Sequence, residues 1–212
     1  MPLPSGRNPW LTIWTSPRAT MREILDTDPK RMVPPLALVG GFISALDRAA
    51  FKNLGDHLSL PAIFLTCAIG GSLGGILGLY VGGALLRWTG RWIGGQGTSE
   101  QVRSAMAWST VPVLWTAILF IPELALLGKE LFTTATPRMN SNRSLAFTMM
   151  GFGAVEIVLG IWALVIFLKC LGEAQGFSAW KAAVNSALAG LVVLVPLLIL
   201  VFGAIGIAKV MM

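Results

Sequence analysis

Five long apolar stretches, separated by short polar segments, dominate the chain after residue 31. A bilayer core of about 30 Å is crossed by a helix of about 20 apolar residues. Each stretch therefore predicts a membrane-spanning helix, over residues 33–51, 61–86, 105–128, 145–168 and 182–208. The first is the weakest, because it opens with Pro34-Pro35 and contains Asp47-Arg48 near its end. The pattern predicts an all-α fold, a polytopic membrane protein with a bundle of five transmembrane helices in a domain covering residues 32–212.

The first 31 residues form a separate segment in which aromatic residues are followed by charged ones. Ser16-Pro17 is typical of a helix start, with Ser as the N-cap and Pro at the first helical position. Met21, Ile24 and Leu25 then form one apolar stripe on a helix that Asp28-Pro29 ends. We predict that residues 1–31 are a cytoplasmic segment, and that residues 10–27 form an interfacial amphipathic helix on the cytoplasmic leaflet.

Four residues of this helix are the predicted interfacial anchors: Trp10, Trp14, Arg18 and Arg22. The two Trp side chains stand one helical turn apart, and Trp is enriched at the headgroup level of membranes. The alternative is an ordinary cytosolic helix docked on the loops of the bundle. A secretory signal peptide is not expected here, because five prolines and several charges interrupt the first 31 residues.

Composition supports the membrane interpretation and sets an orientation. The chain is 55% hydrophobic and 12% charged, whereas soluble domains carry about 25% charged residues. The net charge of +6 does not indicate nucleic-acid binding, because no basic run is longer than Lys30-Arg31. With the N-terminus inside, ten Lys and Arg residues fall on the cytoplasmic side and six outside. The positive-inside rule therefore favours a cytoplasmic N-terminus and an external C-terminus.

Two predicted cytoplasmic loops share the pattern Gln-Gly-x-Ser, at residues 96–99 and 175–178. The offset of 79 residues between them suggests that spans two and three are related to spans four and five as a parallel repeat. A phosphate-binding loop is not indicated, since it requires a Lys and a preceding strand. We interpret the following residues as turns that redirect the chain: Gly94, Gly95, Gln96, Gly97, Gln175 and Gly176.

The second span carries glycines at every fourth position, in the row Gly70, Gly74, Gly78 and Gly82. A continuous ridge of small residues lets a neighbouring helix approach closely. We therefore predict tight helix packing along this row. A permeation groove is the alternative interpretation.

Ionisable residues inside predicted spans are candidate site residues, because a charge at the helix centre costs about 2.5–3.5 kcal/mol on insertion scales. Gly153 and Gly160 share a face with Glu156, so a neighbouring helix is expected to come close to that carboxyl group. One interpretation is structural, with Glu156 protonated and hydrogen-bonded to another helix and the other residues in one outer-side network. The second is a cation or proton site in a polar cavity, and the third is exposure at a protein interface. The candidates are Glu156, Glu123, Asp47 and Arg48.

Nothing in the sequence indicates an enzyme, and we expect no catalytic residues, no cofactor and no metal site. The single histidine, His57, lies in a predicted outer loop, and no metalloprotease or serine-hydrolase pattern occurs. Cys67 and Cys170 fall in apolar runs, where cysteine acts as a small packing residue.

Several motifs make the chain resemble the bacterial branch of the YIP family, five-span membrane proteins named for eukaryotic members that interact with Ypt/Rab GTPases. They are the Pro-Trp start at residues 9–20, Asp-x-Asp-Pro at 26–29, Gly-Gly-Gln-Gly at 94–97, Ala-x-x-Trp-Ser-x-x-Pro at 105–112 and the re-entry at 173–182. The resemblance implies a five-helix fold in a bacterial inner membrane, with a cytoplasmic N-terminus. Its eukaryotic members are associated with vesicle traffic and membrane organisation.

Two hypotheses for function follow. The first is a non-enzymatic membrane protein that organises the bilayer or recruits partners through its cytoplasmic N-terminus and loops. The alternative is a small cation- or proton-linked transporter or channel that uses the intramembrane acidic residues. The expected partners are the lipid bilayer, membrane or cytoplasmic proteins and further copies of the chain, but no nucleic acid.

Overall fold

The computed structural model describes the backbone of residues 6–210 and the side chains of residues 6–202. All regular structure in this part of the chain is helical. Short 3-10 turns at Leu54–Asp56 and Gly128–Phe132 connect longer helices. The α-helices are α1 (Pro9–Thr15), α2 (Pro17–Thr27), α3 (Val33–Phe51), α4 (Leu60–Trp92, with a π-helical turn at Cys67–Gly71), α5 (Ser99–Trp108), α6 (Val111–Leu127), α7 (Pro137–Ser141), α8 (Arg143–Gln175) and α9 (Ala179–Val210).

The described chain runs back and forth between two ends of a helical bundle. We call the end that carries α1, α2 and the connections 93–98 and 176–178 the proximal end, and the end that carries residues 52–59 and 128–142 the distal end. Four described segments are long and apolar enough to cross a membrane, and each contains or overlaps one of the five predicted spans: Leu60–Trp92, Ser99–Phe132, Arg143–Gln175 and Ala179–Phe202.

The remaining predicted span, α3, is a helix with the predicted bounds, residues 33–51, and it contains 19 residues. Pro34 and Pro35 lie in its first turn, where the backbone N–H groups lack helical partners in any case. Asp47 and Arg48 reduce its apolar character near the distal end. The helix is present as expected, and its crossing of the membrane stays a prediction.

Helices α3 and α4 touch through their backbones at a glycine contact. A Cβ atom on Gly75 would overlap the carbonyl oxygen of Ala37 and the backbone of Gly41. A Cβ atom on Gly71 would lie 2.5 Å from the Cβ of Ala45 and 2.9 Å from the carbonyl oxygen of Gly41. Only glycine allows this separation, because no side-chain carbon fits between the two helices.

The prediction of tight helix packing along Gly70, Gly74 and Gly78 was therefore wrong. The residues of α4 that pack on α3 lie one position further along the helix. A Cβ atom on Gly70, Gly74 or Gly78 would meet no other heavy atom within 4 Å, and only Gly82 approaches a neighbour, at 3.0 Å from the Met106 methyl. The row that faces α3 also contains larger buried residues, which bury more apolar area than a row of glycines alone. That row is Cys67, Gly71, Gly75 and Leu79.

The prediction of one helix over residues 10–27 was also wrong, because Ser16 separates α1 from α2. Pro17 has no backbone N–H to continue the hydrogen bonding of α1, so it begins a new helix. Both helices lie across the proximal end, where Ile13, Met21 and Ile24 are fully buried. They belong to the same core cluster as Trp108, which is also fully buried.

We predict that Gly75→Ala destabilises the bundle and that Gly74→Ala does not. The added methyl group at position 75 would force α3 and α4 apart, and overpacking of this kind costs about 1–3 kcal/mol. At position 74 the methyl group enters open space, and Ala exceeds Gly in helix propensity by up to about 1 kcal/mol. Unfolding in detergent, followed by circular dichroism, measures both variants. Equal stability of the two variants would contradict the assigned contact.

Candidate functional site

Helices α1 and α2, which we call the N-terminal collar (residues 9–27), are fixed on the bundle by apolar contacts. Ile13, Met21 and Ile24 are 0% exposed. They share one core cluster with residues of α5 and α8, among them Ala105 and Ile166. The apolar stripe that the sequence predicted is therefore present, but it faces the bundle. This arrangement corresponds to the alternative in which the segment docks on the protein.

Polar contacts fix the same collar to the proximal end of α8. Arg22 Nε donates to Glu173 Oε1 at 2.7 Å. This hydrogen bond, with the attraction between the two charges, raises the pKa of Arg22 above its usual value. Arg18 Nη2 donates to the carbonyl oxygen of Phe177 at 3.3 Å. Two of the four predicted anchors therefore bind the chain itself, at the end of α8.

The other two predicted anchors, Trp10 and Trp14, cover the rim of the bundle. Trp10 contacts the ring of Trp108 edge to face, with centroids 5.7 Å apart. Trp14 contacts Trp115 in the same way at 6.3 Å. Trp108, buried beneath, donates its indole N–H to the carbonyl oxygen of Arg31 at 3.1 Å. Both anchor rings are only half-buried, so they shield the core without entering it.

Gln175 organises the connection between the two predicted loops. Its side chain is 1% exposed. Nε2 donates to the carbonyl oxygen of Leu86 at 3.0 Å, and Oε1 accepts from the N–H of Gly97 at 3.3 Å. The backbone carbonyl of Gln175 accepts from the N–H of Gln96 at 3.0 Å. The two Gln-Gly sequences thus meet directly, and each Gln has a different role.

Glycine is required around this buried amide because no other residue leaves room for it. A Cβ atom on Gly90 would collide with Gln175 Nε2, and one on Gly95 would lie 2.6 Å from Oε1. A Cβ atom on Gly97 would lie 2.5 Å from the carbonyl oxygen of Ala174. Gly95 and Gly97, which were predicted as turn residues, therefore also form a pocket for the Gln175 side chain together with Gly90. Two of the predicted turn residues, Gly94 and Gly176, have positive φ angles of 87° and 73°.

Two further residues of this junction were not identified from the sequence. Asn185 is fully buried in α9, where its Nδ2 donates to the carbonyl oxygen of Leu86 at 3.0 Å. The hydroxyl of Thr89 donates to Asn185 Oδ1 at 2.7 Å. The sequence does place Asn185 within an apolar predicted span. An amide buried in such a span requires hydrogen-bond partners, so this position could have been identified. We call Gln175, Asn185, Thr89 and the glycine pocket the proximal junction.

The predicted intramembrane acids converge toward the distal half of the bundle. Glu123 is buried in α6 at 7% exposure. It lies within electrostatic range of Glu156 on α8 and of Asp47 on α3, and Glu156 is also within range of Asp47. Arg48 interacts electrostatically with its neighbour Asp47. Among the described residues, no hydrogen bond or ion pair joins any of these four side chains.

The expected close approach of a helix beside Glu156 is not present. A Cβ atom on Gly153 or Gly160 would meet no heavy atom within 4 Å. Helices α6 and α8 do pack together, but these glycines do not lie in the contact. Glu156 itself is half-buried. Its position beside Glu123 and Asp47 is consistent with either a structural or an ion-binding role.

An acid outside the predicted spans, Asp56, joins two connections at the distal end. Asp56 accepts from the hydroxyl of Thr134 at 2.7 Å and from its backbone N–H at 3.1 Å. These bonds favour the carboxylate and hold the pKa of Asp56 below its ordinary value. They join the connection after α3 to the connection after α6, two segments that are 78 residues apart.

Comparison with known families gives one match that covers nearly the whole chain. A family model described as the Yip1 domain matches residues 11–201. The matched region includes most of the N-terminal collar, the proximal junction and the four candidate intramembrane residues Asp47, Arg48, Glu123 and Glu156. No curated protein and no solved structure matches the chain significantly.

We predict that Gln175→Leu destabilises the fold, whereas Gln96→Leu leaves its stability nearly unchanged. Leucine at position 175 removes the side-chain oxygen that accepts a hydrogen bond from the backbone N–H of Gly97. A buried N–H without a partner costs about 1–3 kcal/mol. Gln96 occupies the equivalent place in the repeated sequence, but its side chain is exposed. Chemical unfolding of the two purified variants in the same detergent compares them. A Gln175→Leu protein as stable as the Gln96→Leu protein would exclude the proposed role of the amide.

Proposed function

The chain belongs to the Yip1 domain family, and we propose that it is a non-enzymatic membrane protein that recruits partners through its proximal surface. The observation that supports this best is the docked N-terminal collar. Its apolar face is satisfied by the bundle, with Ile13, Met21 and Ile24 fully buried. Its opposite face remains available for another molecule.

The exposed face of α2 is polar and ordered. Arg18, Ala19, Arg22 and Asp26 are all exposed, while Arg22 and Arg18 are also held by the end of α8. A surface that is already ordered loses little conformational entropy when a partner binds. Recruitment by this face therefore fits the structure better than membrane insertion of the collar, which would expose its buried apolar side chains.

We further propose that the protein resides in a bacterial inner membrane with its proximal end in the cytoplasm. The support is the distribution of Lys and Arg, ten in segments on the proximal side against six on the distal side. Cysteines introduced at the exposed positions Gln96 and Asn140 test this orientation. In intact cells, an impermeant maleimide should label Asn140→Cys and spare Gln96→Cys, and the reverse pattern would invert the topology.

We predict that partner capture depends on the charge pair that docks the collar. A photo-cross-linking residue at Ala19 should give a reproducible protein adduct in cells, and the same residue at the exposed distal position Asn140 should not. Glu173→Arg should reduce the Ala19 adduct by up to about fivefold, because it places two cations together at the Arg22 contact and an exposed charge pair contributes only modestly to docking. The double variant Arg22→Glu/Glu173→Arg recreates the pair with reversed charges and should restore the adduct. Identical adducts in all variants, or adducts with lipid alone, would contradict the proposal.

A second candidate function rests on a different observation, the convergence of Glu123, Glu156 and Asp47 within electrostatic range of one another. Clustered carboxylates inside a membrane are typical of proton or cation pathways. Under this alternative the protein is a small cation- or proton-linked transporter or channel. The carboxyl group that separates the two functions most clearly is Glu156.

We predict that Glu156→Gln leaves both stability and the ion permeability of reconstituted vesicles unchanged. The amide keeps the size and hydrogen-bonding capacity of the protonated acid, so a structural role tolerates it. Glu156→Ala should also change stability little, because the Glu156 side chain forms no hydrogen bond with another described residue. A proton or cation flux in the wild-type vesicles that the Gln variant loses, with its melting temperature unchanged, would establish the transport function instead.

A further inference from the structure

An open groove of about 610 Å³ lies beside the contact between α3 and α4, with α5 and α6 on its other side. Its α4 wall includes Gly70, Gly74 and Gly78, where a Cβ atom would meet no heavy atom within 4 Å. Helix α4 packs on α5 near the proximal end. Thr110, the N-cap of α6, and Val113 on α6 also line the groove, and α6 continues toward the distal end. The volume is within the range of about 300–1,000 Å³ found for ligand sites in proteins.

The length of the groove corresponds to one leaflet of a bilayer. On α4 it runs from Thr66 near the distal end to Leu79. At 1.5 Å per residue these positions are about 20 Å apart. Half of a hydrocarbon core of about 30 Å, with the adjoining glycerol region, has a similar depth. An acyl chain entering from the distal leaflet therefore fits along the glycine wall.

The α3 wall of the groove becomes polar toward the distal end. Gly40, Ser44 and Arg48 line it at four-residue intervals, which places them in one row along the helix, and Lys52, the C-cap of α3, extends this row. Among the described residues, neither Arg48 nor Lys52 forms an ion pair. Two like charges at this spacing repel each other unless an anion lies between them.

Asp47, the acid next to Arg48 in the sequence, does not line the groove. Asp47 interacts with Arg48 electrostatically, but it lines a separate cavity of about 250 Å³ together with Phe42, Phe64 and Phe120. The groove therefore combines an apolar floor without bulky side chains, a hydroxyl group at Ser44 and two cations at its mouth.

We propose that this groove binds one anionic phospholipid from the distal leaflet. The acyl chain lies along Gly74 and Gly78, the ester region is level with Ser44, and the phosphate is held by Arg48 and Lys52. A guanidinium group binds phosphate oxygens by charge-assisted hydrogen bonds. This site is separate from the proximal surface and does not depend on the recruitment function.

Lipid fits this groove better than a second copy of the chain. A second copy would have to bring its own acidic side chain to Arg48 and Lys52, and in a symmetric contact each row of cations would approach the other. A phospholipid carries the complementary charge at the depth where the two cations lie, and its chain adapts to the groove without a fixed shape.

The test uses the full chain, purified in a neutral detergent and incubated with phosphatidylglycerol or phosphatidylcholine of the same acyl composition. Retained lipid is counted by native mass spectrometry, and melting temperature is recorded with each lipid. Gly74→Leu fills the groove, and Arg48→Gln/Lys52→Gln removes its cations. Gly190→Leu is the matched control, because Gly190 on α9 is also exposed and also has no heavy atom within 4 Å of its Cβ position.

The wild-type protein and Gly190→Leu should retain one phosphatidylglycerol molecule in about thirtyfold preference to phosphatidylcholine, the magnitude expected for two cations near a membrane surface. Gly74→Leu should lose both lipids, and the double Gln variant should lose only the preference. Retention by Gly74→Leu at the wild-type level would overturn the proposal. So would equal stabilisation by soluble glycerol phosphate, or a dimer in the wild-type protein that Gly74→Leu converts to monomer.

Discussion

The direct contact between the backbones of α3 and α4 is the constraint on which the rest of the bundle depends. Lipid tails are as apolar as leucine, so helices in a membrane are held together mainly by close packing and polar contacts. Gly41, Gly71 and Gly75 remove the side chains that would keep these two helices apart. Helix α3 is short and carries charges near its distal end, so it gains much from this contact. The same contact leaves the neighbouring glycine row of α4 open and creates the groove.

The proximal end is held by a different kind of interaction. Gln175 and Asn185 both donate to the carbonyl oxygen of Leu86, which brings α8 and α9 to one point on α4. A buried amide in an apolar bundle has few alternative partners, so this geometry specifies how the last two helices meet the second span. The collar then covers the adjoining core and is held by Arg22 and Glu173. Close backbone packing and a buried polar junction thus act at different depths of one bundle.

The sequence predicted the parts of this fold that depend on local pattern. Four spans follow from their length and apolar composition, and the helix start at Pro17 follows from the Ser-Pro pair. The packing register was not predictable from the glycines alone, because α4 has two parallel rows of small residues. Only the partner helix decides between them. Gln175 was assigned to a turn for a similar reason, since its buried contacts join positions 78 and 89 residues apart.

The same ambiguity explains the collar. An amphipathic helix satisfies its apolar stripe equally well against lipid or against protein, so the pattern of Met21, Ile24 and Leu25 could not distinguish the two. In the structure Met21 and Ile24 have no exposed area left to offer a membrane. Insertion of Met21 and Ile24 into a lipid surface would therefore require the collar to undock, which breaks the pair between Arg22 and Glu173 and uncovers Trp108. A molecule that binds the exposed face of α2 in the docked collar meets Arg18, Arg22 and Asp26, and it is recognised by polar chemistry.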